Sequence, residues 1–563
     1  MRLLIYIVLF LCCLAAAGAV QRKRQRQNEI ARLKETFGRA SEKKMSAERY
    51  GKVPAFFRHH PPVHEIDDIT WNDLGLDDLY HRMDSTMSAA GEEYLYALLR
   101  SSSGEENIPL SAIRYMEEEE HAQERVQMQL ALRKLGHAGQ YSLYDYLDLL
   151  SEAPKESNLV HLPAFVLPAV SVVLLMFNVQ AGIVCLIGSF VLNMLTYYRR
   201  KGEIDPYIVS LGYLLRMLQC GDRILALNSA AFQEENSELQ SLLPACSSLQ
   251  KGSWVLLSGT TVSDGNPMDL ILDYLRILFH LDLICFNCML GRAMERREEL
   301  DRILFLVGRA DAAIALASYE KSLPYTCSPQ LSGTDSYCVG KDGRERLLVK
   351  GLYHPMLKNP VANDLETRQG ILLTGSNASG KSTFLKAAAI CALLAQTAGF
   401  CPAREYRASR FEICSSMAIK DNILKGESYF MAEIRSLKRI CDRTRESDLP
   451  VLCFVDEILR GTNTVERIAA SAEILKSISK SGALCFAATH DIELTMLLAD
   501  EYDNYHFEED LSADDVSFSY LLKKGPASTR NAIRLLGIVG YDKAVTDAAA
   551  RRAEEFEDLG SWK

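Results

Sequence analysis

Hydrophobic residues follow two different spacings along this chain of 563 residues. From about Trp71 to Ser151, and again from about Asp205 to Ser328, apolar positions recur every three or four residues, as in amphipathic helices. From about Arg346 onward, short apolar runs bounded by Gly and Asn, such as GILLTG and VLCFVDE, alternate with helical stretches. Strands covered on both faces have this continuous apolar character. The pattern predicts an all-α region followed by an α/β domain with a mostly parallel sheet.

Two stretches are more apolar than ordinary amphipathic helices. Residues 3–20 carry no charge and are followed at once by QRKRQR, the reverse of the charge order in a cleaved signal peptide. We therefore expect an uncleaved anchor whose C-terminal end lies in the cytoplasm. The second stretch, Val160 to Tyr198, exceeds one span of about 20 residues and predicts two short helices joined by a turn at Asn178. A buried hairpin of a soluble core is the alternative, but the near absence of charge favours a transmembrane hairpin.

These patterns divide the chain into six predicted segments. They are a transmembrane anchor (1–20), a basic and polar linker (21–60), a first helical core segment (61–155), a transmembrane helical hairpin (156–200), a second helical core and lever segment (201–330) and an α/β domain (335–563). The chain is thereby expected in the inner (cytoplasmic) membrane, with the α/β domain in the cytoplasm.

Charge and cysteine content narrow the classes of function. The formal net charge of −10 and pI near 5.7 argue against a strongly basic nucleic-acid platform but leave room for a local basic patch. The 15 cysteines are scattered, and only Cys285 and Cys288 have a CxxC spacing. A structural zinc site needs four ligands, so thiols buried in a helix are favoured over metal, which suits a reducing cytosol. The acids Glu117 to Glu120 before His121 are interpreted as a solvated helix face, not a metal site.

The α/β domain begins with a phosphate-binding pattern. GSNASGKS fits G-x-x-x-x-G-K-[ST] and lies between an apolar strand and a helix expected over Thr383 to Thr397. Backbone N–H groups of such a loop surround phosphate oxygens at the helix N-terminus, Lys381 reaches the β and γ phosphates, and the Ser382 hydroxyl binds Mg²⁺. The predicted nucleotide-binding residues are Gly375, Ser376, Asn377, Ala378, Ser379, Gly380, Lys381, Ser382 and Thr383.

Two further strands end in groups suited to nucleotide hydrolysis. VLCFVDE ends in Asp456, predicted to bind Mg²⁺ with Ser382, and Glu457, predicted to orient or deprotonate the attacking water. ALCFAATH ends in His490, which alone would be an ordinary polar residue but in this order is a candidate sensor of the γ phosphate. The predicted reaction is ATP hydrolysis to ADP and phosphate, with ATP and Mg²⁺ as cofactors and phosphate release as a conformational switch.

The order of these motifs resembles the MutS family of DNA mismatch repair ATPases. GSNASGKSTFLKAAAICALLAQTAGFCPA resembles its loop and helix, GESYFMAEI its signature segment, VDEILRGTNTVE its acidic strand and turn, ATHDIEL its histidine switch, and HPMLKNPVANDLE its strand near the adenine pocket. The resemblance covers about 200 residues and continues more weakly into VGRADAAIALASYEKSLPY and the helices after Trp71. It implies a P-loop NTPase domain of the ABC and MutS type. It also implies a homodimer, in which Ser428 would contact the γ phosphate of the opposite subunit.

The departures from the family leave the cellular role open. The linker is too short for the family's mismatch-reading and connector domains, Leu459 replaces a glycine of the Gly-Arg-Gly-Thr turn, and Tyr429 replaces the signature Thr. One hypothesis is a membrane-held ATP switch that binds DNA, with mismatch recognition not assumed. The second is a mechanochemical ATPase acting on a membrane lipid or an unknown protein partner without DNA. An ABC-type transporter is a third, disfavoured because the spans lack polar pore residues and the signature lacks a Ser-Gly-Gly run.

Overall fold

The computed structural model describes most of the chain. The described residues are 20–21, 23–102, 108–136, 148, 150–153, 157–251, 255–256, 267–331, 347–376, 379–417, 429–511, 516–527, 533, 536 and 540–559. Nearly all of the predicted anchor, the loop residues Asn377 and Ala378, and the signature residue Ser428 lie outside this set.

Helices dominate the first 330 residues, as the spacing of apolar residues predicts. After a helix through residues 23–36 come α1 (Ala47–Tyr50), α2 (Ala55–His59), α3 (Asp68–Leu74), α4 (Leu76–Met83), α5 (Ala89–Leu99), α6 (Leu110–Glu117), α7 (Ala122–Leu135), α8 (Pro163–Phe177), α9 (Val179–Leu227), α10 (Gln233–Gln250), α11 (Pro267–Phe279), α12 (Leu281–Glu295) and α13 (Arg297–Ser322). Short 3₁₀ turns lie at Glu119–His121, Asn158–His161 and Ala230–Phe232.

The remaining elements alternate between strand and helix. They are β1 (Gln330–Leu331), β2 (Leu347–Leu352), β3 (Asn363–Thr367), β4 (Gly370–Thr374), α14 (Lys381–Thr397), β5 (Glu405–Ala408), β6 (Glu412–Ser416), α15 (Tyr429–Glu446), β7 (Val451–Asp456), α16 (Thr464–Lys480), β8 (Leu484–Ala488), α17 (Glu493–Leu497), β9 (Tyr502–Leu511), β10 (Val516–Lys524) and α18 (Lys543–Leu559). Six strands form a sheet in the order β10-β9-β4-β8-β7-β6, parallel except for the β9–β10 pair. A smaller sheet has the order β1-β5-β2-β3.

The larger sheet has the buried strands that the sequence predicts. Every residue of β4, β6 and β8 is buried, as are the first five residues of β7. Leu372, Val455 and Ala487 join side chains of α15 and α16 in one hydrophobic cluster. Because parallel strands end at the same edge, this packing brings the residues after β4, β7 and β8 together.

The chain forms two compact units, each assembled from separated stretches. The helical unit comprises Met1–His60, Arg82–Ala97 and Ser111–Ser322, and the α/β unit comprises Pro61–His81, Leu98–Leu110 and Leu323–Lys563. The first predicted helical core segment (61–155) is therefore divided between the two units. Sequence periodicity could not show this division, because it identifies a helix without identifying the surface on which that helix packs.

Helix α3 explains why the α/β unit includes residues from early in the chain. It packs on β6, the edge strand of the larger sheet. Thr70 Oγ1 accepts a hydrogen bond from the Ser415 backbone N–H at 3.1 Å, and Asp73 Oδ2 accepts from Ser415 Oγ and the Met417 N–H, both at 2.8 Å. These bonds pair backbone donors that an edge strand would leave open.

The apolar region after Val160 forms two antiparallel helices, but the second is not short. Asn178 caps α9 by accepting the Ala181 N–H with its side chain, so the predicted turn is in place. Helix α9 then continues for 49 residues to Leu227, through the predicted boundary at residue 200. Arg199, Arg200 and Lys201 favour a helix, whereas Gly202 and Pro206 disfavour one, and the helix continues through both.

Within the described residues, two helical stretches are long and apolar enough to cross a membrane: Asn158–Phe177 and Val179–Leu227. The helices Asp273–Phe279 and Leu281–Glu295, bent by 76° at His280, reach this length and apolar character only when the two are taken together as one broken span or re-entrant loop. Large apolar side chains are exposed along the hairpin, including Met176 at 85% and Phe177 at 84%. Such a surface is unusual in a water-soluble helix pair.

Candidate functional site

The glycine-framed loop connects the central strand β4 to the N-terminus of α14. Gly375 and Gly380 have φ values of 138° and 103°, in a region that side-chain-bearing residues rarely adopt. A Cβ on Gly375 would lie 2.8 Å from the Phe507 carbonyl oxygen, so a larger residue would also collide with β9. Ser379 stabilises the turn by donating from its hydroxyl to the Ser376 carbonyl at 2.7 Å. The sequence here folds into an open turn at a helix N-terminus, where backbone donors favour an anion.

Lys381 lies inside this turn and is almost fully buried. Its Nζ donates to the carbonyl oxygens of Gly375 and Ser376, both at 2.7 Å. The buried Ser376 hydroxyl oxygen has no hydrogen-bond partner among the described residues. The described part of the loop therefore contains a buried positive charge at Lys381 and a buried hydroxyl oxygen without a described partner at Ser376.

A hydroxyl and a carboxylate meet beside the loop. Ser382 Oγ donates to Asp456 Oδ2 at 2.5 Å, although the two residues are 74 positions apart. The other carboxylate oxygen, Asp456 Oδ1, is buried, and no donor reaches it in the described part of the chain. Burial raises the pKa of Asp456, and neighbouring Glu457 adds to this, whereas Ser382 and Lys381 act in the opposite direction. The Ser382 hydroxyl and the Asp456 carboxylate are oxygen ligands of the kind that a hard cation such as Mg²⁺ prefers, and Asp456 Oδ1 has no described donor that would compete with the cation.

Glu457 follows β7 and faces the end of β8. Its Oε1 lies 3.0 Å from His490 Nε2, and its Oε2 forms an ion pair with Arg460. Burial alone would raise the pKa of Glu457, but the hydrogen bonds and charges of His490 and Arg460 outweigh burial and hold the pKa below its usual value. Glu457 is therefore a carboxylate at neutral pH, fixed between two partners.

The turn after Glu457 has an unusual backbone. Glu457 and Leu459 have φ values of 54° and 56°, a left-handed conformation that costs a non-glycine residue about 1 kcal/mol or more. Leu459 is the position where the MutS-like turn would have glycine. Its N–H donates to Glu433 Oε1, and its side chain is buried in the hydrophobic cluster beneath the sheet. These contacts offset the backbone cost of leucine here.

A cavity of about 340 Å³ adjoins the loop on its other side. Its lining includes His354, Asn363, Thr383, Phe384, Phe507 and Tyr520. The amide of Asn363 donates to the Tyr520 carbonyl at 3.1 Å and accepts the Leu522 N–H at 2.7 Å, which fixes β10 beside the loop. A mostly apolar pocket with a few polar groups suits a flat heterocycle.

The structure thus brings five residues predicted from sequence into one site: Lys381, Ser382, Asp456, Glu457 and His490. Their catalytic and binding roles stay predictions, and those of Asn377, Ala378 and Ser428 fall outside the described residues. Sequence reasoning missed Arg460 and Tyr520. Arg460 belongs to the quoted VDEILRGTNTVE segment, and its placement three residues after Glu457 was the available signal. Tyr520 had none, because only the β9–β10 pairing brings it to the loop.

A second ion pair supports the histidine end of the site. Arg467 of α16 binds the Asp491 carboxylate through two bonds of 2.6 and 2.9 Å. Asp491 immediately follows His490, and the Thr489 N–H donates to the Leu373 carbonyl of β4 at 2.9 Å. The turn carrying His490 is therefore held to both a neighbouring helix and the central strand.

This arrangement defines the C-terminal domain as an α/β domain with a glycine-framed loop at a helix N-terminus and an acidic strand end beside it. The family model of MutS domain V matches residues 371–557, which include the site. The C-terminal domain of this chain belongs to the MutS family.

Curated relatives extend the similarity into the helical region. The DNA mismatch repair protein MutS of Thermus thermophilus is 28% identical over 295 residues, which cover 47% of this chain and 36% of that protein. The MutS proteins of Thermus aquaticus and Natronomonas pharaonis are 32% and 30% identical over 36% and 46% of this chain. These matches cover 26% and 32% of those proteins, so the chain spans only about a third of the length of the relatives it matches.

Proposed function

We propose that the α/β domain binds ATP with Mg²⁺ and hydrolyses it to ADP and phosphate. The observation that carries this proposal is the junction of Ser382 with Asp456, whose buried Oδ1 lacks a donor among the described residues, directly beside the Glu457–His490 pair. The loop around Lys381 supplies the anion-binding half of the site. Membership of the C-terminal domain in the MutS family supports the same reaction.

Each side chain has a distinct task in this proposal. Lys381 and the loop N–H groups hold the β and γ phosphates, while Ser382 and Asp456 hold the cation. Mg²⁺ supplies charge neutralisation on the phosphate oxygens when it is bound. Glu457 accepts a hydrogen bond from the attacking water and orients it, and its low pKa keeps it ionised for that purpose. His490 and Arg460 fix the direction of the Glu457 carboxylate.

The cavity beside the loop suits the base of the nucleotide. Tyr520 lies against the loop at Gly380, since a Cβ there would meet its ring at 3.1 Å, and Phe384 and Phe507 are in edge contact with ring centroids 5.8 Å apart. These rings offer an apolar surface of the right kind for adenine. We infer that the base lies in this cavity while the phosphates lie in the loop.

The membrane and the dimer complete the proposal. Exposed apolar residues along α8 and the first turns of α9 support a hairpin inserted in the cytoplasmic membrane, with the α/β domain in the cytoplasm. Resemblance to the MutS family supports a homodimer in which Ser428 completes the partner's ATP site. ATP-driven closure of the dimer would then act as a switch.

Two targets compete for this switch. The names of the relatives suggest DNA, including mismatched DNA. Helix α9 runs without a break from the hairpin to Leu227. This continuity favours the second target, a lipid or protein partner at the membrane, because a single helix can transmit movement to the hairpin. The net charge of −10 also lowers the expectation of strong DNA binding. We favour the membrane target.

Two substitutions in full-length protein test the proposed ATPase. Lys381→Ala should weaken nucleotide binding at least 100-fold, about 3 kcal/mol, because a buried charged contact to phosphate is lost. Glu457→Gln should retain ATP affinity but lower turnover by about 100-fold or more, because the amide keeps the shape and loses the acceptor charge. Equilibrium binding of a fluorescent ATP analogue and single-turnover phosphate release measure the two effects.

A matched control is Glu466→Gln, on an exposed residue at the start of α16. This substitution should change neither the nucleotide affinity nor the turnover. Wild-type affinity in Lys381→Ala would remove the loop from nucleotide binding. Unchanged turnover in Glu457→Gln would remove that carboxylate from catalysis.

A further inference from the structure

Two cysteines face each other in the α/β unit, away from the nucleotide site. Cys327 and Cys401 form an isolated antiparallel bridge in which each N–H donates to the other's carbonyl, at 3.2 and 3.1 Å. Their Sγ atoms are 3.6 Å apart. Residues paired in this way have Cα atoms about 5.5 Å apart, a separation typical of disulfide-bonded cysteines.

The backbone around both cysteines is fixed by neighbouring bonds. The Tyr353 hydroxyl donates to the Tyr325 carbonyl at 2.7 Å, and the Tyr325 hydroxyl donates to the Gly351 carbonyl at 2.8 Å. On the other side, the Arg404 N–H donates to the Lys350 carbonyl at 2.8 Å. The main chain therefore holds the two cysteines opposite each other, with their sulfur atoms already within contact distance.

Access distinguishes this pair from the three cysteines that lie side by side in the larger sheet. Cys414, Cys453 and Cys485 lie side by side on β6, β7 and β8, but each is at most 3% exposed. Hydrogen bonding among these three thiols, together with burial, raises the pKa of Cys453 well above its usual value, so it is a poor nucleophile. Cys327, in contrast, is partly exposed, while Cys401 is buried behind it.

We propose that Cys327 and Cys401 are a reversible redox site that closes to an intramolecular disulfide. The oxidant is a small disulfide such as oxidised glutathione. Cys327 Sγ attacks one sulfur of the oxidant, forming a mixed disulfide and releasing one thiol. Cys401 Sγ then attacks the Cys327 sulfur and releases the second thiol. The two cysteine protons end on the two released thiols, and the two electrons reduce the oxidant's disulfide.

The disulfide would join two connecting segments of the α/β unit covalently. Cys327 lies between the end of α13 and strand β1, and Cys401 lies between α14 and strand β5, which pairs with β1. The disulfide would close a covalent ring of chain from Cys327 to Cys401, and the glycine-framed loop lies within that stretch of sequence. Cross-linking a ring of this length restricts the unfolded chain and stabilises the folded one. This proposal stands independently of ATP hydrolysis.

The test uses full-length protein in detergent, equilibrated with mixtures of reduced and oxidised glutathione. Thiols are then blocked, the protein is digested without reduction, and linked peptides are identified by mass spectrometry. We expect a Cys327–Cys401 peptide that increases with the oxidised fraction and disappears with dithiothreitol. The unfolding midpoint of the α/β unit should rise by roughly 5 °C in the oxidised protein.

Single substitutions make the outcome decisive. Cys401→Ser should leave a stable glutathione adduct on Cys327, because the second thiol is missing, and Cys327→Ser should form neither the adduct nor the link. Cys288→Ser, at an exposed helix position in the helical unit, is the control and should retain the link. The proposal is overturned if wild-type protein stops at the Cys327 adduct, if neither thiol reacts, or if the link appears only in denatured protein.

Discussion

Asp311 shows how one buried carboxylate makes the helical unit sensitive to pH. It lies on α13, and its side chain accepts hydrogen bonds from the Ser88 hydroxyl at 2.6 Å, the Ser88 N–H at 2.8 Å and the Met87 N–H at 3.0 Å. Burial raises the pKa of Asp311 to about 6, against the opposing effect of these bonds and of Lys43. The neutral form is therefore favoured in the folded protein more than in the unfolded chain.

This pKa shift predicts a definite pH dependence. A carboxyl group whose folded pKa is above its unfolded value of 3.8 contributes stability that is present at low pH and lost as pH rises through about 6. The rise in the pKa of Asp311 from 3.8 to about 6 corresponds to about 3 kcal/mol of folding free energy, spread over the range from below pH 3.8 to above pH 6. Asp311→Asn removes the titration, so the unfolding midpoint of wild type relative to the variant should increase when pH falls from 7 to 5.

Thermal unfolding of the two proteins at pH 5, 6 and 7 measures this effect. At pH 5 the variant should be less stable by about 1–3 kcal/mol, because an amide cannot accept all of these bonds. This deficit should shrink towards pH 7, where wild type carries the cost of a buried ionised carboxylate. Asp205→Asn, on an exposed acid of α9, is a control that should follow wild type. A constant difference between wild type and Asp311→Asn across this range would contradict the prediction.

Residue-scale prediction from sequence was strongest where the backbone itself requires a residue type. The glycines of GSNASGKS indicated the turn now seen at Gly375 and Gly380, because few other residues adopt those φ values. The same reasoning flagged Leu459 as a departure from the family but could not show how it is accommodated. The compensating contact comes from Glu433, 26 residues away, which no local pattern relates to that turn.

Helix α9 is joined at the base of the hairpin to three neighbouring segments through buried polar groups. The amide of Asn193 donates to the carbonyls of Ala164 and Leu278, both at 2.9 Å. His280 Nε2 lies 2.9 Å from the Asn193 carbonyl, and its Nδ1 lies 3.1 Å from His161 Nδ1. Because a carbonyl oxygen only accepts, His280 Nε2 donates to the Asn193 carbonyl. Asn193 is thus the contact that ties α8, α9 and α11 together.

Removing that side chain should loosen the hairpin base without altering the nucleotide site. Asn193→Leu leaves two buried carbonyls without their donor, and we expect a loss of about 1–3 kcal/mol in the stability of the helical unit. Limited proteolysis and thermal unfolding in lipid nanodiscs measure this loss. ATP affinity should remain within about twofold of wild type.

The control for this element is Ser189→Ala on the same helix. Ser189 is also buried, but its hydroxyl donates only to the Leu186 carbonyl of its own helix, at 2.8 Å. Its replacement should be nearly neutral, within about 0.5 kcal/mol. Equal effects of the two substitutions would show that Asn193 does not join the helices.

At the scale of the whole molecule, the main prediction concerns what the ATPase responds to. The chain combines a net charge of −10, an apolar hairpin and a MutS-family domain. We expect ATP turnover of the full chain in nanodiscs to change with lipid composition and to stay constant when homoduplex or mismatched DNA is added. A DNA site of high affinity requires several phosphate contacts from clustered positive charge. The negative net charge of this chain lowers the expectation of such a cluster.

Repeating the turnover measurement with DNA over a series of salt concentrations separates the membrane target from the DNA target. Stimulation by DNA that falls steeply with salt would contradict the membrane interpretation and establish a membrane-held DNA ATPase. A preference for mismatched over homoduplex DNA would further support a repair role. Glu457→Gln, measured in parallel, shows how much of the turnover belongs to this site and not to a contaminant.

The sequence by itself determined those features that arise from neighbouring residues. Apolar spacing set the helical and α/β regions, the lack of charge over residues 160–198 marked the hairpin, and the loop and acidic strand predicted residues of one site. Each depends on backbone geometry or on periodicity, which act over a few residues. Parallel strands ending at one edge then made it predictable that Asp456 and His490 would lie near Lys381.

Only the tertiary structure decided which distant surfaces meet. The joining of α3 to β6, the placement of Tyr520 beside Gly380, the pairing of Cys327 with Cys401 and the Asn193 contacts all link residues far apart in the chain. The length of α9 belongs here too, since local signals allowed the helix either to end or to continue near Tyr198. Such contacts depend on shape and hydrogen-bond complementarity between folded elements, and no short-range pattern in the sequence records that complementarity.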